Sequence, residues 1–390
     1  MSVSRRFQFA WYAQHLLGEL VLIYPVAAIM MSEHGVGPLD LSLLFALWSL
    51  AVVSAEVPTG ALADRVSRRR LLIVSRLVKG CCFLTWWVLP GFWGYLAGFV
   101  CWGVASTLRS GTAESVLHDT LSAAGAPEQF EQIYGRAAAA GHVGLVASFL
   151  AGGLLAGRVG FGIPLALSVV GPWLAAIAIA AGVADPPRGG SARARNEAFR
   201  ETLRAGLREA RSSVRLLHVI GMTATIACIW EVFEEYLPVY LLEKGTFTLG
   251  AIGVTFACAS GATIAAAAAA HRLPFRSLRA IAVAFGVAGA LLLASTVAAG
   301  VPAAALLIAS AGVNGAAGVL LAGRLQRSIR GHARATVTSV AGMGQEVVGI
   351  LLYMAVGAGA GMTDWHGGVG LLGVLALVLC IGFVAAPARS

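Results

Sequence analysis

Charged and polar side chains recur in this chain where charge is expensive, deep inside long apolar runs. Glu19 lies about twelve residues into the first run, roughly 18 Å along a helix rising 1.5 Å per residue and near the middle of a ~30 Å hydrocarbon layer. Glu231 sits at a similar depth in the seventh run, with Glu234 and Glu235 following toward its outer end. Glu346, beside Gln345, is midway along the eleventh run, Asn314 is midway along the tenth, and Arg109 is in the inner half of the fourth. A carboxylate held in a low-dielectric cavity can take and release protons, or hold a cationic group, and alternation between the two couples them by competition. Glu19 and Glu231 are the first candidates for that chemistry and Glu346 the third. The competing reading is a structural ion pair, for example Glu19 with Arg109. Trp230, next to Glu231, is the aromatic best placed to line a cavity.

The elements that hold these groups follow from composition. Of the 390 residues 58% are hydrophobic and 12% charged, with a mean hydropathy of +0.80. A soluble domain carries about a quarter charged residues. This chain has too little charge to coat a globular surface, and its length accommodates roughly twelve membrane-spanning helices with short loops. The spacing predicts the first from Phe7 to Met31, the second from Leu39 to Leu62, the fourth from Trp93 to Val116, the seventh from Leu216 to Leu242 and the eleventh from Ala335 to Val356. Residues 1–184 and 216–390 each hold six. The segment between them, 185–215, carries eight arginines, with Phe199, Leu203 and Leu207 at four-residue spacing, which predicts an amphipathic helix on the inner membrane surface.

Charge sets the orientation. The net charge of +9 resides in short loops on alternate sides of the apolar runs, the positive-inside pattern, and does not indicate nucleic acid. Only Arg158 and Lys244 fall in outer loops, so both termini are expected on the cytoplasmic side. Arg76 and Lys79, near the inner end of the third run, are expected to snorkel to the interface. His15 and His142 could shuttle protons, although a lone helical histidine is more often a packed group. The six cysteines lie in apolar runs without metal-ligand spacing and read as small buried side chains. No metal or organic cofactor is expected. No nucleotide-binding loop or paired catalytic motif is present, which argues against an enzyme or an ATP-driven pump and leaves a proton gradient as the energy source.

Between the second and third runs stands Gly60-Ala61-Leu62-Ala63-Asp64-Arg65-Val66-Ser67-Arg68-Arg69-Arg70. Such a turn cannot lie in hydrocarbon, and its four arginines put it at the cytoplasmic face. It resembles the signature loop of the major facilitator superfamily at Gly60, Leu62, Ala63, Asp64, Arg65, Arg68 and Arg69, with Ser67 where glycine is usual. The resemblance implies an all-α integral membrane fold of two pseudo-symmetric six-helix halves, with the first, fourth, seventh and tenth helices lining a central cavity. It also implies that Asp64 and Arg68 form part of a latch at the inner gate, with Glu114 or Asp119 as partners for the arginines. The fifth run is similar to a drug-exporter pattern at Gly144, Gly152 and Gly153, while Ser148-Phe149 replaces its Gly-Pro. The pattern from Arg109 to Glu114 with His118-Asp119, and Arg334-Ala335-Thr336, resembles bacterial members of unsettled substrate.

The sequence therefore reads as a monomeric secondary transporter of a bacterial inner membrane, with proton-coupled export of a small amphipathic or cationic compound as its expected activity. Uptake, or export of another class such as a siderophore or a lipid, is the alternative within transport. A non-transporting receptor on the same scaffold is the alternative outside it.

Overall fold

In hydrocarbon every backbone N–H and C=O must find a partner within the protein, so apolar runs of this length resolve into helices. The computed structural model describes residues 4–63, 66–185, 214–273, 277–328 and 334–385, and all regular structure among them is helical. The helices are α1 Arg5–Gly18, α2 Ala27–Glu33, α3 Pro38–Ala63, α4 Arg68–Val88, α5 Phe92–Arg109, α6 Thr112–Ala123, α7 Phe130–Val159 and α8 Gly162–Gly182. They continue with α9 Val214–Glu243, α10 Leu249–Ala269, α11 Leu278–Val297, α12 Gly300–Ser328, α13 Arg334–Met362 and α14 Trp365–Ala385. Ten candidate spans among the described residues are long and apolar enough to cross a membrane. The first and fourth spans expected from sequence are the other two, and each is interrupted.

The first interruption corrects the continuous helix expected from Phe7 to Met31. The chain leaves the α-helix at Gly18, passes through a short 3-10 turn at Tyr24–Val26 and re-enters helix at Ala27. Pro25 supplies the covalent reason: it has no N–H to continue the ladder, and it biases the preceding residue away from helix. Proline alone does not decide the matter, since Pro58, Pro172 and Pro238 lie inside α3, α8 and α9. In the first span, neighbouring helices supply polar side chains to the backbone that the break frees. The second interruption, at Ser110-Gly111, lies where Gly111 takes φ +66°, and it separates α5 from α6 within the span expected from Trp93 to Val116.

Two compact units emerge. One holds α1, α2, α4 to α8, most of α3 and the first residues of α10, Leu249–Val254. In it α1 packs on α7 and α8, and α4 packs on α5 and α8. The other holds Gly37–Ala46, which includes the start of α3, together with α9, the rest of α10 and α11 to α14. There α9 packs on α12 and α13, and α11 packs on α12 and α14. The basic segment between α8 and α9, for which an amphipathic helix is expected, lies outside the described residues. Of the cysteines, Cys82 and Cys228 are buried, whereas Cys81 and Cys258 are exposed. This corrects the expectation that all six are buried: in an apolar helix a cysteine can as readily face lipid as protein.

Candidate functional site

Around the break in the first span the freed backbone groups are met one by one. The Gly18 carbonyl accepts from Lys79 Nζ at 2.8 Å, and the Glu19 carbonyl accepts from Ser148 Oγ at 2.9 Å. The Ile23 N–H donates to Ser168 Oγ at 2.9 Å. Partners from α4, α7 and α8 thus make an irregular backbone tolerable at a depth where none is tolerated against lipid. Close approach makes this possible. A Cβ on Gly144 would come within 2.3 Å of the Leu16 carbonyl oxygen, and one on Gly152 within 1.9 Å of that of Leu22. Two of the three exporter-like glycines of α7, Gly144 and Gly152, are therefore contact points for the broken helix, while Gly153 meets Leu249 and Gly253 of α10; Ser148, which departs from that pattern, caps the break.

The break delivers Glu19 into a cluster of cations. Its carboxylate lies 3.3 Å from Lys79 Nζ, 3.8 Å from Arg76 Nη1 and 3.9 Å from Arg109 Nη1. Arg76 also donates to Gln14 Oε1 at 2.9 Å. Its side chain is 2% exposed and that of Lys79 11%, so the expected snorkelling of both is corrected. Spaced three residues apart on α4, they share one helical face, which points inward at α1. Arg109, the partner named for Glu19 in the ion-pair reading, is one of three cations within ion-pair distance of it.

Beside this cluster the first unit holds a cavity of about 490 Å³. Trp11, His15, Glu19, Arg109, Glu114 and His142 contribute its polar and aromatic wall. The Arg109 side chain is 44% exposed there, against 27% for Glu19. His15 Nδ1 bonds the Trp11 carbonyl at 2.8 Å, so this histidine is fixed by its own helix.

The second unit treats its carboxylate differently. Glu231 of α9 accepts from Gln345 Nε2 of α13 at 2.5 Å, and among the described residues no cation lies within ion-pair distance of it. Cys228 Sγ contacts the Gln345 carbonyl at 3.5 Å, tying the two helices together one turn away. Glu346 follows Gln345 on α13, and Glu234 and Glu235 follow Glu231 on α9, all half-buried. Asn314 is buried in α12 and makes no hydrogen bond to Glu231 or Gln345 among the described residues. Trp230 packs against Phe233, ring centroids 5.2 Å apart.

At the arginine turn, Asp64 and Arg65 lie outside the described residues, so the latch expected of Asp64 does too. Arg68 forms an ion pair with Asp119 of α6, one of the two partners expected for it. Ser67, in the place of the usual glycine, accepts from the Arg70 N–H at 3.2 Å and caps the start of α4. Arg69 and Arg6 donate to the Ala180 and Ala181 carbonyls at 2.6 Å each, closing the C-terminal end of α8. Gly60 is exposed, and a Cβ there would meet open space.

Sequence reasoning missed Gln14, Arg76, Lys79 and Ser148 as members of the first cluster. Pro25 inside an apolar run, and the three-residue spacing of two cations in the part of α4 that follows its arginine start, were the available signals.

The chain matches the Major Facilitator Superfamily model over residues 16–353. No curated protein matches it. Among solved structures it is similar to the nucleoside transporter NupG, at 13% identity and a TM-score of 0.76 with 99% of each chain covered. It is also similar to a bacterial homologue of the human lysosomal transporter Spinster, at 16% identity and a TM-score of 0.75, covering 98% of this chain and 95% of that one. The peptide transporter POT is a third, at 14% identity and a TM-score of 0.72, covering 97% and 94%.

Proposed function

Because the chain belongs to the major facilitator superfamily and is a multi-pass membrane transporter, we propose that it moves a small amphipathic organic compound across a bacterial inner membrane by alternating access, driven by protons, with export as the direction. The single observation that carries proton coupling is Glu231, a half-buried carboxylate whose polar contact is the neutral amide of Gln345. Among the described residues no cation is placed to hold this carboxylate ionised, so it is the group suited to exchange a proton during a transport cycle. The direction rests on the resemblance of the α7 glycines to those of exporters. Substrate alternatives include nucleosides and peptides, which the similar solved structures transport by name, besides siderophores and lipids.

Glu19, the sharpest candidate in the sequence, takes a different part in this reading. With three cations around it, it serves as an electrostatic organiser of the first unit and not as the proton carrier. The reading is tested in proteoliposomes carrying a pH gradient and an internal pH-sensitive dye, with cationic drugs, organic acids, organic phosphates, siderophores and lysolipids added in turn. The expected result is proton movement triggered by at least one class and abolished by a protonophore. Substrate movement that persists unchanged after the gradient is collapsed, with no proton movement, would leave a uniporter. No movement of any compound by folded protein would favour the receptor alternative.

A further inference from the structure

The first unit carries more positive charge around its cavity than its own carboxylates neutralise. Arg76, Lys79 and Arg109 converge on the single carboxylate of Glu19. The end of α1 contributes a further partial negative charge through the Gly18 carbonyl, worth about half a unit for a helix C-terminus. Glu114 also lines the cavity, but it is exposed. The three cations are not equivalent. Arg76 and Lys79 are buried behind Glu19 and fixed by hydrogen bonds to Gln14 and Gly18. Arg109 is the half-exposed one in the cavity wall, and it approaches Glu19 at ion-pair distance.

From this arrangement we infer that the cavity of the first unit binds an oxyanion, the carboxylate or phosphate head of an amphipathic substrate, seated on Arg109 in competition with Glu19. An arginine presents a planar fork of donors that matches either oxyanion. The buried cations behind it keep the local potential positive whichever acceptor Arg109 holds. An incoming anion displaces Glu19 from Arg109 and leaves it on Lys79 and Arg76, so no charge is stranded. A cationic ligand at the same place would meet Arg109 directly and gain only Glu19, which is already shared three ways. The half-exposed Tyr134 and the Leu145 side chain, both in the wall, suit an apolar body attached to that head.

The inference rests on the transporter reading for its biological meaning, but its test needs no gradient and so fails or succeeds separately from proton coupling. Protein in nanodiscs of neutral lipid is titrated by calorimetry with benzyl phosphate, phenylacetate and benzyltrimethylammonium. At least one anion is expected to bind at micromolar to millimolar concentration while the cation does not, and the order of the two anions tells phosphate from carboxylate. Arg109→Gln is expected to weaken anion binding at least tenfold, equivalent to about 1.4 kcal/mol or more. Arg109→Lys, which keeps the charge and loses the fork, should fall between. Glu19→Gln, which removes the competitor, should tighten it. Binding of the cation alone, silence of both anions at millimolar concentration, or unchanged anion affinity in folded Arg109→Gln would each overturn the inference.

Discussion

Glu19 and Glu231 occupy comparable positions in their respective apolar runs and live in opposite surroundings. Glu19 faces three cations, two of them buried and tied to a broken helix. Among the described residues Glu231, on an unbroken α9, meets one neutral amide, that of Gln345 on α13. The same residue type at the same depth therefore meets two different partner sets, and the roles proposed above for the two carboxylates follow from that difference. A carboxylate surrounded by cations gives a place for other anions to compete. A carboxylate with only an amide can give up or accept a proton without breaking an ion pair.

That contrast makes ordered predictions for stability, each read by thermal or denaturant unfolding in detergent. Lys79→Met should produce the largest loss, about 3 kcal/mol, because the Gly18 carbonyl at the helix break is left without its charged donor, while Arg76 and Arg109 still hold Glu19. A small effect there would mean that water already reaches the cluster. Gly152→Ala comes next at about 1–3 kcal/mol, since its methyl would collide with the fixed Leu22 carbonyl and push α7 off the broken helix. Gln345→Leu should cost about 1 kcal/mol, one hydrogen bond's worth, and a loss as large as that of Lys79→Met would erase the distinction drawn between the two units. Arg68→Gln should change stability least, by less than about 1 kcal/mol, because the pair with Asp119 is about a quarter exposed on the Arg68 side. Its effect belongs in transport rate, if the arginine turn gates the inner side.

Much of this was legible in the chain, for physical reasons. Scarce charge and long apolar runs gave the all-helical membrane fold, because hydrocarbon leaves the backbone few options. The arginine turn gave the family and an Arg68 partner in Asp119, because a basic loop in a fixed place between two spans is a specific pattern. The break after Gly18 was not seen. A proline in an apolar run is compatible with an intact helix, as Pro58, Pro172 and Pro238 show, and the decision lies with side chains more than a hundred residues away in Ser148 and Ser168. The inward turn of Arg76 and Lys79 was missed for a related reason. A cation near a helix end is assigned to the interface by default, and only the carboxylate and carbonyl waiting on α1 reverse that default.

The most direct test of the contrast is substrate-triggered proton flux in proteoliposomes, measured side by side for the wild type, Glu231→Gln and Glu19→Gln, each shown to be folded by size-exclusion chromatography. Flux is expected to be abolished in Glu231→Gln and retained, with altered substrate affinity, in Glu19→Gln. Flux retained in Glu231→Gln and lost in Glu19→Gln would contradict that expectation, and would return the proton to the carboxylate with three cations around it.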